Sequence, residues 1–244
     1  MNGRVDAEEE TALPAGITVP ADRFAKNREL VLEALLRDVD LGLAKLKALI
    51  QREYPDVLHK VSIPFVYNLY VRDKIRSDTV RQIELVLKAA ERYDGTNLDA
   101  LTDEYFDEYF SHDLVNHHCR HDHPRFEELK KIIRLSFRAR IVPAHRVLNA
   151  PSGETYEDLI RQVYATRQAT RKALEEHLVI ADKAIDLIEH HKDLVKGPIY
   201  RAVYLGRNIR VIRAGYEFAL ELLLKRLDQI FPCEDSGRSE EVGV

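Results

Sequence analysis

Few features of this sequence fit an extracellular or membrane-spanning protein. The only two cysteines, Cys119 and Cys233, lie far apart, so no disulfide framework is indicated and a reducing compartment is expected. The most apolar run, residues 218–224, contains Glu221 and is far shorter than the roughly 20 residues of a membrane helix. The first eighteen residues are acidic and lack the apolar core of a signal peptide. The sequence therefore predicts a cytoplasmic protein without a membrane span.

Several catalytic and nucleotide-binding motifs are also absent. Neither Gly-x-x-x-x-Gly-Lys-Ser/Thr nor Gly-x-Gly-x-x-Gly occurs, which excludes nucleotide binding through those glycine-rich loops. The nucleophile-elbow pattern Gly-x-Ser-x-Gly is missing. The metal signatures Cys-x-x-Cys and His-Glu-x-x-His are missing as well. Any chemistry would have to come from a less regular site.

What the sequence does contain is apolar residues that recur about every 3.6 positions, a spacing that predicts amphipathic α-helices. A first helix is expected from about Asp22 to Glu53, and a segment from Val57 to Arg76 contains Pro64 and is expected to be kinked or split there. Ser77 or Asp78 can cap the next helix. No segment shows sustained period-2 alternation, so no strand is predicted. The predicted fold class is all-α, a bundle of long amphipathic helices.

The second half of the chain follows the same pattern. Pro124 opens a helix that we expect Pro143 to bend or end. After the loop Pro151-Ser152-Gly153, one long helix is predicted from Tyr156 to about His191, and Gly197-Pro198 turns the chain into a last helix, Ile199 to Phe231. These last two helices predict a C-terminal antiparallel helical hairpin.

The domain prediction follows from composition. Residues 1–20 are acidic and without period, and residues 232–244 are similar, so both termini are predicted to be disordered. Residues 21–231 are predicted to form one helical bundle domain. A sub-boundary near 150–153 is considered, and the sequence leaves open whether the kinks at Pro64 and Pro143 separate domains.

The densest polar feature is a histidine corner, defined as residues 111–124, which holds five of the ten histidines. If its first part is helical, Asp113, His117 and His121 share a face, because they are four residues apart. Imidazole and carboxylate ligands suit zinc, iron or manganese. The alternative is a polar corner that binds nothing. The candidate ligands for a divalent transition metal are His112, Asp113, His117, His118, His121 and His123.

The His112-Asp113 dyad, with His59 upstream and Asp182 and Asp186 downstream, resembles in arrangement the HD superfamily of metal-dependent phosphohydrolases. That resemblance implies an all-α enzyme in which a His, a His-Asp dyad and a later Asp hold a metal ion. It also implies that His59, His112 and Asp113 are ligands and that a metal-bound water attacks a phosphate.

Charge is divided unevenly along the chain. Residues 1–128 carry 17 Lys/Arg and 25 Asp/Glu, a net of −8, whereas residues 129–231 carry 19 and 12, a net of +7. Such asymmetry can mark an anion- or nucleic-acid-binding face. The alternative, which we favour, is that the basic helix pairs with the acidic segment 99–113 of the same chain. The candidate anion-binding residues are Lys130, Lys131, Arg134, Arg138, Arg207 and Arg210.

Three functional classes follow, in order of preference. The first is a non-catalytic helical interaction or scaffold protein, self-associating as a homo-oligomer through residues 154–231 or binding another protein, with metal binding at the histidine corner as an option. The second is the metal-dependent phosphohydrolase that the HD resemblance implies. The third is a nucleic-acid or anion binder that uses the basic segments between residues 129 and 216.

Overall fold

The fold is an all-α bundle, seen in a computed structural model that describes residues 19–53, 72–164, 166–196, 225–227 and 229–231. The named elements are α1 (Ala21–Glu53), α2 (Arg72–Glu91), α3 (Leu98–Ser111), α4 (Leu114–His118), α5 (Phe126–Leu148), α6 (Tyr156–Val163), α7 (Arg167–His190) and a 3₁₀ turn, Lys192–Leu194. Among these residues, the only strand-type backbone pairing is one isolated antiparallel β-bridge, between Cys119 and Val195. None of the described helices has the length and apolar composition needed to cross a membrane.

Helix α5 is the centre of the bundle and packs against α2, α3 and α7. Its residues Leu129, Phe137 and Ile141 are fully buried, and their spacing places them on one face of the helix. Burial of side chains of this size contributes about 1.5–3 kcal/mol each. The helix also packs against α3, which leads into the histidine corner at Ser111.

A second core cluster joins α1 to the end of α5 and to α6. Val31, Leu148, Leu159 and Ile160 are buried together in it. The fully buried Asn27 donates from Nδ2 to the carbonyls of Leu148 and Ala150, at 2.9 and 2.8 Å. These bonds satisfy carbonyl groups that the end of α5 leaves without a helical partner. The sub-boundary near 150–153 stays a prediction, although core contacts continue across it.

Two helix boundaries in the first part of the bundle differ from the sequence predictions. Helix α2 begins at Arg72, so Ser77 and Asp78 lie inside the helix and do not cap it. Helix α5 continues through Pro143 to Leu148, so Pro143 does not end it. Proline removes one backbone donor, and the packing of Ile141, Val147 and Leu148 in the core compensates for this loss.

The predicted long helix from Tyr156 to His191 is also wrong, because it is divided into α6 and α7. Tyr164 has extended backbone angles, φ −122° and ψ 97°, and the Thr166 side chain accepts a hydrogen bond from the amide of Ala169. Thr166 is thus the N-cap of a new helix, so the preceding helix does not continue through it. At the N-terminus of α6, Thr155 and Asp158 form a capping box that starts the helix.

Several predictions lie outside the described residues. These are the prediction of disorder for the termini, apart from residues 19 and 20, the predicted kink around Pro64, and most of the predicted last helix with the hairpin that it would form.

Candidate metal centre

The histidine corner folds as a short capped helix followed by an extended segment. Asp113 begins α4, and its Oδ1 accepts a hydrogen bond from the amide of Val115 at 2.8 Å. After α4 the chain is extended at Cys119, where it pairs with the residues that follow α7, and it then turns over residues 121–125. The amide of Arg120 donates to the Leu194 carbonyl, and the amide of Lys196 donates to the His118 carbonyl, both at 2.6 Å. The corner is therefore held beside the C-terminal end of α7.

This arrangement brings His123 together with two residues that the sequence analysis missed. One ligand atom each from His123, His191 and Asp193 can be chosen so that all three lie within 4.8 Å of one another. His123 Nε2 lies 3.2 Å from Asp193 Oδ2, and the rings of His123 and His191 are 5.9 Å apart between centroids. In the described part of the chain, no other trio of His, Cys, Asp or Glu side chains meets this spacing.

The backbone around each residue explains its position. Helix α7 ends at His190, and His191 is its C-cap residue, whose amide donates to the Leu187 carbonyl. The 3₁₀ turn that follows buries Leu194 and leaves Asp193 exposed. His123 lies in the loop before α5, with only 9% of its side chain exposed. Two chain segments 70 residues apart thus supply the three groups.

The electrostatics of this trio suit a cation. The pKa of Asp193 is lowered, first by a hydrogen bond from its own backbone amide and then by the hydrogen bond from His123, so the carboxylate is ionised at neutral pH. His123 Nδ1 accepts a hydrogen bond from the amide of Arg125 at 3.1 Å. The neutral ring therefore carries its proton on Nε2 and donates it to Asp193. Coordination through Nε2 requires the other tautomer and gives up the bond from Arg125.

His112 and His117 belong to a different cluster, centred on Asp78 of α2. Asp78 is 7% exposed, with Oδ1 3.1 Å from His112 Nδ1 and Oδ2 3.7 Å from His117 Nε2. Lys74 donates to the same Oδ2 at 2.9 Å. Burial acts to raise the pKa of Asp78, but the hydrogen bonds from Lys74 and His112 and nearby positive charge together lower it. An ammonium group already neutralises this carboxylate, as a metal ion would.

His117 is held in its neutral form. Burial first, and then the charge of Lys74, lowers its pKa. Its Nε2 is buried without a hydrogen-bond partner, because Asp78 is beyond hydrogen-bonding distance. His117 is therefore a weakly paired ring beside a carboxylate, in a cluster separate from that of His123.

Asp113, the other half of the HD-like dyad, has both carboxylate oxygens occupied. Oδ1 caps α4, and Oδ2 accepts a hydrogen bond from Gln82 Nε2 at 2.9 Å. Burial raises its pKa above the usual range. His112 pairs with Asp78 instead of sharing a site with Asp113. His59, the upstream ligand implied by the resemblance, lies outside the described residues.

The remaining members of the corner have local roles. Burial is the main cause that lowers the pKa of His118 to about 4. Cys119 is buried, and burial raises the pKa of its thiol to about 12, so it is not a nucleophile at neutral pH. His121 Nε2 lies 2.8 Å from the Asn116 carbonyl oxygen, and its ring lies against Phe126 at 4.4 Å. Of the six predicted metal ligands, only His123 is part of the metal-compatible trio.

Three of the predicted anion-binding residues, Lys130, Arg134 and Arg138, form a stripe along α5 that faces the acidic helix α3. Lys130 pairs with Asp107 at 3.4 Å, Arg134 pairs with Asp103, and Arg138 pairs with Asp99 at 2.9 Å. Lys131 is exposed on the same helix, and Arg207 and Arg210 lie outside the described residues. The structure thus shows the internal pairing that we favoured from the charge pattern.

Comparison with known proteins gives no relative: no family model matches the chain, and neither a curated protein nor a solved structure shows significant similarity to it.

Proposed function

We propose that this chain is a non-catalytic helical scaffold protein that binds one divalent transition metal ion, with Zn²⁺ as the first candidate, through His123, His191 and Asp193. The observation that carries the proposal is the convergence of two imidazoles and one carboxylate within 4.8 Å of one another. Ligand atoms about 2.0–2.2 Å from a tetrahedral zinc ion lie about 3.3 Å apart, so modest side-chain rotations bring the three groups to one ion, with water in the fourth position. The 3.2 Å separation of His123 from Asp193 already fits this spacing.

The donor set favours zinc over magnesium or calcium. Imidazole nitrogen suits zinc, iron, copper and nickel, whereas magnesium and calcium prefer oxygen ligands throughout. The position of the site supports a structural role for the ion, because its ligands come from the two segments that pair through Arg120 and Lys196. In this proposal, the helical bundle is the scaffold and the ion joins two of its parts.

The two other functional classes have less support. The HD-like hydrolase requires Asp113 as a ligand, and both oxygens of Asp113 already accept hydrogen bonds. The nucleic-acid binder requires cations that are available to phosphates, and the stripe on α5 is paired with aspartates along its length. Self-association and a cytoplasmic location remain expectations. Light scattering of the purified protein tests the first, and fractionation of cells that express the protein tests the second.

The test is zinc binding by the full chain. After removal of metal with a chelator, isothermal titration with Zn²⁺ is expected to give one site in the wild type. His191→Ala and Asp193→Asn are each expected to weaken binding by more than about 100-fold, because changes to the outer-shell partners of metal sites already cost about 10- to 100-fold.

The matched control is His190→Ala. His190 neighbours His191, but its Nδ1 contacts the backbone carbonyl of Asp186 on its own helix at 2.7 Å. Zinc affinity is expected to be unchanged in this variant. Equal zinc affinity in the wild type and in His191→Ala would exclude the proposed site.

A further inference from the structure

The trio lies beside the only β-bridge of the described residues, which connects the histidine corner to the end of α7. The bridge joins Cys119 and Val195, which are 2% and 3% exposed. Its two hydrogen bonds run from the amide of Arg120 to Leu194 and from the amide of Lys196 to His118. Leu194 is fully buried between them. This short pairing, together with the packing of Leu194 and Val195 in the core cluster that contains Cys119, attaches the residues after α7 to the corner.

The metal ligands are distributed on both sides of this bridge. His123 follows the first bridging segment, and His191 and Asp193 precede the second. Without an ion, the side-chain hydrogen bonds between the two sides are one from Lys196 Nζ to the Asn116 carbonyl at 3.5 Å and one from His123 to Asp193, a carboxylate that is 66% exposed. A hydrogen bond of this kind at an exposed group contributes little to stability. Opening of the bridge would separate the ligands by moving one segment away from the other.

From this arrangement we infer that the ion acts as a latch: zinc binding at His123, His191 and Asp193 holds the bridge between residues 118–120 and 194–196 closed. The inference rests on the proposed function and adds a regulatory consequence to it. An ion that binds the closed form alone stabilises that form according to its free concentration and dissociation constant. The attachment of the segment after α7 then depends on metal supply.

The latch predicts a quantitative change in hydrogen exchange. The amides of Arg120 and Lys196 exchange with solvent when the bridge opens, because their hydrogen bonds are the bridge itself. If the open form cannot bind the ion, opening becomes rarer by a factor of one plus the ratio of free zinc to its dissociation constant. At 100 times the dissociation constant, exchange of both amides slows by about 100-fold.

The experiment is residue-resolved hydrogen exchange of the full chain with and without Zn²⁺. The control amide is that of Leu159, which bonds to the Thr155 carbonyl in the capping box of α6, away from the site. Selective slowing at Arg120 and Lys196 in the wild type and in His190→Ala, with no slowing in His191→Ala, supports the latch.

Two outcomes overturn the inference and one overturns its basis. Stoichiometric zinc binding with unchanged exchange at Arg120 and Lys196 shows that the ion does not control the bridge. Equal slowing at Leu159 shows global stabilisation instead of a local latch. Absence of zinc binding removes the proposed function, and the latch with it.

Discussion

Arg138 of α5 donates a hydrogen bond from Nε to Asp99 Oδ1 of α3 at 2.9 Å. This pair is the last of three that join the two antiparallel helices, each four residues from the next. The regular spacing follows from the helical repeat, which places every fourth residue on the same face. Lys130 and Arg134 also lie over the rings of Phe106 and Phe110, so their side chains cover apolar surface as well as carrying charge.

Despite their regular spacing, the charges of these three ion pairs are expected to contribute little to the stability of the fold. Asp99 is 82% exposed and Arg138 is 43% exposed, and exposed ion pairs are worth about 0.2–1 kcal/mol. A double-mutant cycle with Arg138→Ala and Asp99→Ala is expected to give a coupling energy within that range, measured by urea unfolding. The coupling should decrease in 1 M NaCl because salt screens exposed charges. A coupling above about 2 kcal/mol would contradict this account.

A glycine in the loop before α6 is expected to be more sensitive to substitution than one in the loop before α3. Gly153 has φ +116°, and an added Cβ would lie 2.9 Å from Cδ2 of Leu159, which is fully buried. Gly95 has φ +95°, but nothing lies within 4 Å of an added Cβ. Both alanine variants store backbone strain of about 1–3 kcal/mol. Only Gly153→Ala also displaces a core side chain, which costs about 1–3 kcal/mol more.

Thermal unfolding and urea unfolding of the two glycine variants measure this difference. Gly95→Ala is the control, since it has the strain without the overlap. Equal loss of free energy of unfolding in the two variants would mean that Leu159 moves without cost and that the core around α6 is loosely packed.

The folded protein is expected to lose stability in mild acid through His118. The pKa of His118 is lowered to about 4 in the folded chain from its ordinary value of 6.5. Between these two values, the unfolded chain binds a proton that the folded chain does not, so the free energy of unfolding decreases as pH falls. The ring is half-buried. After allowance for solvent screening, the loss from pH 7 to 5 is about 1 kcal/mol.

The comparison for this effect is His118→Gln, which has no titrating ring. Urea unfolding at pH 7, 6 and 5 should show a flatter dependence in this variant than in the wild type. His117, whose pKa is also lowered, is present in both proteins, so the difference between them isolates the His118 ring together with its interaction with His117. Identical pH dependence of the two proteins would show that His118 is not protected from protonation.

The fold was more predictable from the sequence than the site was. The apolar period of α1 depends on neighbouring residues, and the predicted helix from Asp22 to Glu53 differs from the observed one by a single residue at its start. The division before α7 was missed because Thr166 resembles an ordinary polar helix residue until its side chain is seen to cap the next helix.

The candidate site depends on long-range packing, which local patterns do not record. His123 was a candidate because it lies in a dense run of histidines, whereas Asp193 lies 70 residues away. The pair His190-His191 with Asp193, at a predicted helix end, was the available signal. Asp78 was predicted to be a possible cap and is instead a buried carboxylate inside α2, paired with Lys74. The role of Asp78 depends on where α2 begins, because a residue inside the helix does not cap its N-terminus.

Zinc binding is expected to move the proton on the ring of His123. In the metal-free chain, Nδ1 accepts from the amide of Arg125 and Nε2 donates to Asp193, which fixes the proton on Nε2. A neutral imidazole that coordinates through Nε2 carries its proton on Nδ1. Nitrogen-15 NMR of the histidine rings is therefore expected to show the proton transferred from Nε2 to Nδ1 when zinc is added. The control is His121, which contacts Asn116 and should show no change. If zinc binds and His123 keeps its proton on Nε2, then that nitrogen is not a ligand and the proposed coordination is wrong.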